Sequence, residues 1–210
     1  MTKTEIGGHT RLCGLIGNPV EHTVSPLIHN TLAGLLGHDL VYVPFHVEKN
    51  RLMDAVKGAY GLNILGLNVT VPYKSDVLGA LAQTDPLAEK IGAVNTLVRT
   101  EGGYKGYNTD ISGLYRAMKS EGIEIEGAEI ALFGAGGAAR AAAFLCGEKK
   151  AKKVYLLNRS LEKAKSLADE VNRAFDRECM EPMALSDYEA LPSRPLLAIQ
   201  GTSVGLHPDV

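Results

Sequence analysis

Two groups of residues have types and spacing suited to chemistry. The first is Asn68-Val69-Thr70-Val71-Pro72-Tyr73-Lys74, where an amide, a hydroxyl and an ammonium follow the apolar run that starts at Ile64. Strand alternation sets Asn68 and Thr70 on one side of the chain, and the proline turn then swings Lys74 toward the same place. Together they make a cradle for a polyol; taken singly, Asn68 and Thr70 end a strand and Lys74 is solvated surface. The second group is Gly134-Ala135-Gly136-Gly137-Ala138-Ala139-Arg140, a G-x-G-x-x-A spacing. Gly134 permits a tight turn, Gly136 admits a pyrophosphate to the backbone and Ala139 allows close helix packing, while the helix N-terminus offers unpaired N–H groups to an anion. A glycine turn also serves packing alone, but a predicted strand before it and a predicted helix after it favour dinucleotide binding.

Cofactor choice falls to Asn158-Arg159-Ser160, about 20 residues on, where an NAD enzyme places a carboxylate for the ribose hydroxyls. No carboxylate stands here. Arg159 brings a planar, charged fork suited to a 2′-phosphate and Ser160 a hydroxyl beside it, which points to NADP. The plainer alternative is a solvated Arg159 and a Ser160 that only caps the next helix.

The elements that must position these residues follow from periodicity. Leu12 to Ile16, Leu40 to Val47 and Ile64 to Val71 read as strands, the last as a strand buried on both faces. Helical stretches run from Ser25 to Leu36, with Ser25 as cap before Pro26, and from Glu48 to Ala59. Val94 to Arg99 and Tyr104 to Tyr107 form a hairpin across Glu101-Gly102-Gly103. A helix from Thr109 to about Glu121 precedes the strand Glu129 to Phe133, the helix Gly136 to Cys146, the strand Lys153 to Leu157 and the helix Leu161 to Arg173. The result is an α/β protein of two domains, an N-terminal α/β substrate domain over residues 1–111 and a Rossmann-type domain over 112–210.

Composition narrows the partners. Twenty-two Lys and Arg against 24 Asp and Glu leave a net charge of -2 without a basic stretch, so no nucleic acid and no membrane partner is expected. No apolar run reaches the length of a membrane span and no targeting segment is read. Cys13, Cys146 and Cys179 are odd in number and far apart, which fits a reducing cytoplasm, and His9, His22, His29, His38, His46 and His207 lack metal-ligand spacing. No metal site is expected.

Further polar groups stand at strand ends in Gly92-Ala93-Val94-Asn95-Thr96 and Tyr107-Asn108-Thr109-Asp110, although Asp110 also suits a helix cap. With Thr23-Val24-Ser25-Pro26-Leu27-Ile28-His29-Asn30, the glycine turn and Asn158-Arg159-Ser160, these segments resemble the shikimate dehydrogenase (AroE-like shikimate/quinate dehydrogenase) family from about Arg11 to the last residue. The resemblance implies an NADP-dependent oxidoreductase that reduces 3-dehydroshikimate to shikimate in aromatic amino acid biosynthesis, as a monomer or homodimer. It implies that Thr23, Ser25, Asn68, Thr70, Lys74, Asn95 and Asp110 meet the substrate, with Lys74 and Asp110 the catalytic pair. It assigns the cofactor to Gly134, Ala135, Gly136, Gly137, Ala138, Asn158, Arg159, Ser160 and the Thr202-Ser203-Val204 loop. A carboxylate beside Lys74 favours its ammonium form, so the pair is expected to stabilise a developing alkoxide rather than shuttle protons freely.

The chain departs from the family at several points. Thr23 replaces a usual serine, Gln200-Gly201 a usual Asn-Ala, and Ile111 a common glycine. The resemblance also implies helices beyond Val210 that complete the cofactor domain and bring a glutamine to the substrate, so the second domain is expected to be incomplete. Two rivals stand beside shikimate reduction: a quinate/shikimate dehydrogenase of broader specificity, and a truncated, non-catalytic NADP-binding form.

Overall fold

The apolar run at Leu12 becomes the middle of strand β1 (Arg11–Gly17), which pairs in parallel with β2 (Leu40–His46) on one side and β3 (Gly66–Val69) on the other. Parallel neighbours need crossovers, and helices α1 (Ser25–Leu35) and α2 (Leu52–Gly61) supply them, α2 after a 3-10 turn at Lys49–Arg51. The computed structural model describes residues 6–202, 204 and 205. Its chain divides into two units, Met1–Thr109 and Asp110–Val210.

After a 3-10 turn at Asp76–Ala80, the first unit continues with β4 (Gln83–Thr84), α3 (Pro86–Ile91), β5 (Thr96–Thr100) and β6 (Gly103–Tyr107). The sheet order is β2-β1-β3-β5-β6-β4. β5 runs antiparallel to both neighbours, so its beginning lies beside the carboxyl ends of β3 and β6. The β5–β6 hairpin turns where Gly103 takes φ 141°, a conformation glycine adopts without steric penalty.

Two local expectations are corrected. Ser25 does not cap α1: Val24 holds that position, Ser25 is the first helical residue, and Thr23 Oγ1 accepts from the Ser25 N–H at 3.2 Å. Proline fits anywhere in the first turn, where N–H groups lack intrahelical partners, so Pro26 marks the turn without fixing the residue before it. β3 is not covered on both faces either. Leu67 and Val69 are buried while Gly66 and Asn68 are partly exposed. Leu67 and Val69 join the main core with Val56, Tyr73, Val77 and Leu97; the opposite face has a small cluster of Leu15, Val20 and Tyr42.

In the second unit α4 (Asp110–Ser120) leads to β7 (Glu129–Phe133), α5 (Gly137–Glu148), β8 (Lys153–Asn158), α6 (Leu161–Phe175), β9 (Met180–Ala184) and β10 (Leu197–Gln200). All four strands are parallel in the order β10-β7-β8-β9. The chain steps outward from β7 to β9 and returns to the other side of β7, placing a topological switch point between β7 and β10. The alanines of α5 explain its depth: Ala139, Ala141, Ala142 and Ala143 are buried along with Phe144 and Leu145. α6 buries Ala164, Leu167, Ala168 and Val171, the spacing of one helix face. β9 and β10 carry little sequence signal, since Glu181 and Pro182 interrupt the first and the second is four residues long.

Phe144 is fully buried and packs edge-on against Phe175 with centroids 6.0 Å apart. Phe144→Ala is expected to destabilise the second unit by ~3–5 kcal/mol, read as an early unfolding transition in urea. A midpoint unchanged from the parent would show that this packing contributes little.

Candidate active site

At the carboxyl end of the first sheet, strand register brings the polar residues into rows. Asn68 of β3 lies opposite Thr96 of β5, and Thr96 lies opposite Tyr107 of β6. Asn95, just before β5, is the one buried polar side chain among the described residues, 8% exposed. Its Oδ1 accepts from the Thr109 N–H at 2.9 Å, the Thr109 hydroxyl at 3.1 Å and the Thr96 hydroxyl at 3.0 Å. Its backbone carbonyl accepts from the Val69 N–H at 2.9 Å and faces Asn68 Nδ2 at 3.4 Å. Asn68, Asn95 and Thr96 thus form one network.

Ser25 joins it through a residue that the sequence reading did not single out, while Thr23 meets the Ser25 N–H. Tyr42 of β2 donates its hydroxyl to Asn68 Oδ1 at 2.8 Å. Burial pushes the Tyr42 phenol up to about 12, a neighbouring Cys13 adds to this, and a hydrogen bond with Ser25 works against it. The phenol therefore stays protonated and donates. The only trace of Tyr42 in the sequence is a polar-tipped aromatic inside a strand, which more often signals core packing.

Thr70 follows β3, with its N–H donating to the Ile16 carbonyl at 3.0 Å. Its methyl fills the space above Gly17, where a Cβ would lie 2.4 Å from Thr70 Cγ2. Lys74 is half-buried and its backbone is tied on both sides: the Lys74 carbonyl accepts from the Val94 N–H at 2.7 Å, and the preceding Tyr73 is fully buried with its hydroxyl donating to the Val47 carbonyl. Asp110, partly exposed, opens α4 on the second unit, where the helix dipole favours a carboxylate.

The glycine turn of the second unit sits at the switch point. Gly134 takes φ 109°, and a Cβ there would lie 2.8 Å from the Gly201 carbonyl oxygen. Gly201 is equally confined, because its Cβ would lie 2.8 Å from Ala139 Cα. A Cβ on Gly136 or Gly137 would meet nothing within 4 Å. Gly136 caps α5, and Gly136, Gly137 and Ala138 are exposed while Gly134 is buried and Ala135 half-buried. The first glycine is thus required by the fold, whereas the next two leave open space in front of the first N–H groups of α5. Arg140 is committed elsewhere, pairing with Glu170 at 2.6 Å across α5 and α6. Burial alone would raise Glu170, but hydrogen bonds from Arg140 and Ser166 and the guanidinium charge leave it lowered.

Asn158 donates from Nδ2 to the Ser160 carbonyl at 2.9 Å, and Ser160 caps α6 by accepting from the Lys163 N–H at 3.5 Å. Arg159 is exposed and makes no hydrogen bond or ion pair among the described residues. It borders a groove of about 540 Å³ lined by Phe133, Leu185, Ser186, Tyr188 and Leu191. Most of these come from the 3-10 turn at Leu185–Ala190, and nothing local in the sequence links that turn to Arg159. Thr202 donates its N–H and hydroxyl to Gln200 Oε1 at 3.2 and 3.1 Å, and accepts from the Val204 N–H at 3.2 Å. Ser203 lies outside the described residues. Among the described residues no helix is long and apolar enough to cross a membrane, and no group of three or more His, Cys, Asp and Glu could hold a metal ion.

A four-stranded parallel sheet with a glycine turn at its switch point, following a separate α/β unit, is the architecture of a dinucleotide-binding unit joined to a second domain. Residues 15–97 match the shikimate dehydrogenase substrate binding domain, and residues 116–191 match shikimate / quinate 5-dehydrogenase. The chain is 41% identical over 206 residues to a shikimate dehydrogenase (NADP(+)) of Caldanaerobacter subterraneus subsp. tengcongensis, covering 98% of this chain and 73% of the relative. Shikimate 5-dehydrogenase from Listeria monocytogenes in complex with shikimate and NAD superposes with TM-score 0.90 at 34% identity, over 99% of this chain and 73% of that one. A shikimate dehydrogenase in complex with NADP+ gives TM-score 0.90 at 35% identity, over 100% and 72%. The chain belongs to the shikimate dehydrogenase family.

The difference between the glycines is measurable. Gly134→Ala forces a side chain into a left-handed conformation against a backbone oxygen and is expected to lower the stability of the second unit by ~1–3 kcal/mol. Gly136→Ala, with open space around it, is expected to cost less, ~0.5–1 kcal/mol, the penalty of alanine at a helix N-cap. Urea unfolding of both variants checks this, and equal losses would show that Gly136 too is a packing residue.

Proposed function

We propose that this protein is an NADP-dependent shikimate dehydrogenase that reduces 3-dehydroshikimate to shikimate, and so serves aromatic amino acid biosynthesis. The observation that carries the reading is the row of amides and hydroxyls at the carboxyl end of β3 and the start of β5, Asn68, Thr70, Asn95 and Thr96, inside the segment that matches the family's substrate binding domain. A polyhydroxylated ring acid offers the oxygen-rich perimeter that such a row addresses. Thr23, Ser25, Asn68, Thr70 and Asn95 are assigned to binding its hydroxyls and carboxylate.

NADP fits the second unit on three grounds: open space before the N-terminus of α5, an Arg159 without a partner among the described residues, and an apolar groove beside that arginine. An anion gains from the helix N-terminus, a 2′-phosphate from the guanidinium fork and an adenine face from the groove wall. The nicotinamide, when bound, exchanges the hydride. Lys74 is assigned to the reacting oxygen, donating a hydrogen bond that strengthens as negative charge develops there. Asp110 is assigned with Lys74 to the catalytic pair. The added methyl of Thr23 and the family's shikimate / quinate description make quinate the second substrate to test.

Purified protein offered shikimate or quinate with NADP or NAD, followed by nicotinamide absorbance, is expected to favour shikimate with NADP. Turnover confined to quinate, or none with either acid, would overturn the assignment. Lys74→Ala is expected to lower kcat by ~10²–10³ with NADP affinity unchanged; near-normal kcat would remove Lys74 from the chemistry. Arg159→Ala is expected to weaken NADP binding about tenfold or more while sparing NAD. Equal losses for the two cofactors in fluorescence titration would mark Arg159 as structural.

A further inference from the structure

Two consecutive residues of α1 address a single residue of β2. Asn30 brackets the backbone of Tyr42, donating from Nδ2 to its carbonyl at 2.9 Å and accepting from its N–H at 2.8 Å. His29 stacks on the Tyr42 ring, with centroids 4.2 Å apart and planes 11° from parallel. Because β2 is the edge strand, these backbone groups have no strand partner on that side and Asn30 substitutes for one. The ring is held on a face and the backbone at both its N–H and its carbonyl, leaving the phenol little freedom.

What this clamp holds is the donor to Asn68. The Asn68 amide has a tight end and a loose end: Oδ1 receives the Tyr42 hydroxyl at 2.8 Å, while Nδ2 makes only long contacts to the Asn95 carbonyl at 3.4 Å and Thr96 Oγ1 at 3.3 Å. The direction of the amide is settled by chemistry. A carbonyl accepts and never donates, so the end of Asn68 that faces the Asn95 carbonyl is NH2. A flipped amide would set two carbonyl oxygens against each other and leave Tyr42 facing a donor.

We propose that Tyr42 is a positioning and specificity residue: its clamped hydroxyl occupies the acceptor end of Asn68, so that the amide offers a ligand only its NH2 group. This rests on the shikimate dehydrogenase reading for the ligand, but not for the geometry. At this point the site selects a ligand oxygen with a free lone pair and rejects a group that can only donate. Nδ2 can reorient toward such an oxygen with little loss, because its contacts in the protein are long. Removing the Tyr42 hydroxyl frees Oδ1 and lets the amide present either end.

The test uses Tyr42→Phe, which keeps the ring and its stack on His29. Shikimate binding by titration calorimetry is expected to weaken roughly three- to tenfold, with NADP affinity unchanged. In an Asn68→Ala background the same substitution is expected to change shikimate affinity less than about twofold, because its effect travels through the amide. Undiminished binding in Tyr42→Phe, or losses that multiply in the double variant, would overturn the proposal; a purely structural role would also lower NADP affinity through general loosening. A second arm needs no ligand. The Asn68 side-chain NH2 resonances, identified by their absence in Asn68→Asp, are expected to shift and broaden in Tyr42→Phe, and unchanged resonances would count against the proposal. If the parent protein fails to bind shikimate the function proposed above falls, while this arm still decides whether Tyr42 orients Asn68.

Discussion

Burying the Asn95 side chain takes an amide out of water, a transfer unfavourable by ~1–3 kcal/mol in mutational terms unless hydrogen bonds replace the lost hydration. Three donors on Oδ1 supply that replacement, and they come from two places, the start of β5 and the residue that ends the first unit. The Asn95 backbone adds a bond to each side, its N–H to Tyr107 and its carbonyl from Val69. One residue thereby sets the ends of β3, β5 and β6 against one another. Asn68 borders the same carbonyl, Tyr42 holds Asn68, and Ser25 meets Tyr42. Even Lys74 is one residue removed, through the Val94 N–H.

The second unit reaches comparable order by exclusion rather than by hydrogen bonding. Gly134, Gly201 and Ala139 approach so closely that a single added carbon at either glycine would collide with backbone. The first turn of α5 is therefore seated against β7 and the end of β10 without a polar side chain. A hydrogen-bonded amide tolerates small shifts by bending, whereas backbones this close leave no room for a side chain. That rigidity suits a helix end whose N–H groups point at an anion.

Motifs whose geometry is local were legible in the sequence. The glycine turn, the β7–α5–β8–α6 succession and the β5–β6 hairpin depend on residues close in the chain, so small residues at fixed spacing and period changes reveal them. Asn68, Thr70 and Asn95 stood out because amides and hydroxyls interrupt apolar strands. Tyr42 did not, because its meaning comes from Asn30 and His29 on one side and Asn68 on the other, 12 and 26 residues away in the chain for the two hydrogen-bonded partners. The groove beside Arg159 was hidden for the same reason, its wall being a 3-10 turn that follows β9. The displaced start of α1 shows the opposite limit: proline announces a first turn clearly, yet physics allows it at more than one position there.

The two faces of the first sheet divide stability from recognition. On the face with Leu67 and Val69, the main core includes Val56, Tyr73, Val77, Leu97 and Tyr104, enough apolar surface to hold the unit together. On the Asn68 face only Leu15, Val20 and Tyr42 are buried as a cluster. Hydrophobic contact there is too thin to orient side chains, and it is non-directional in any case. Hydrogen bonds must do the orienting, and each one fixes which end of an amide faces outward. A substitution on this face that removes one hydroxyl while keeping the carbon skeleton therefore acts mainly on the polarity shown to a ligand, whereas the same change on the opposite face, at Tyr104 for instance, leaves the buried Ile64 carbonyl without its partner and acts on stability.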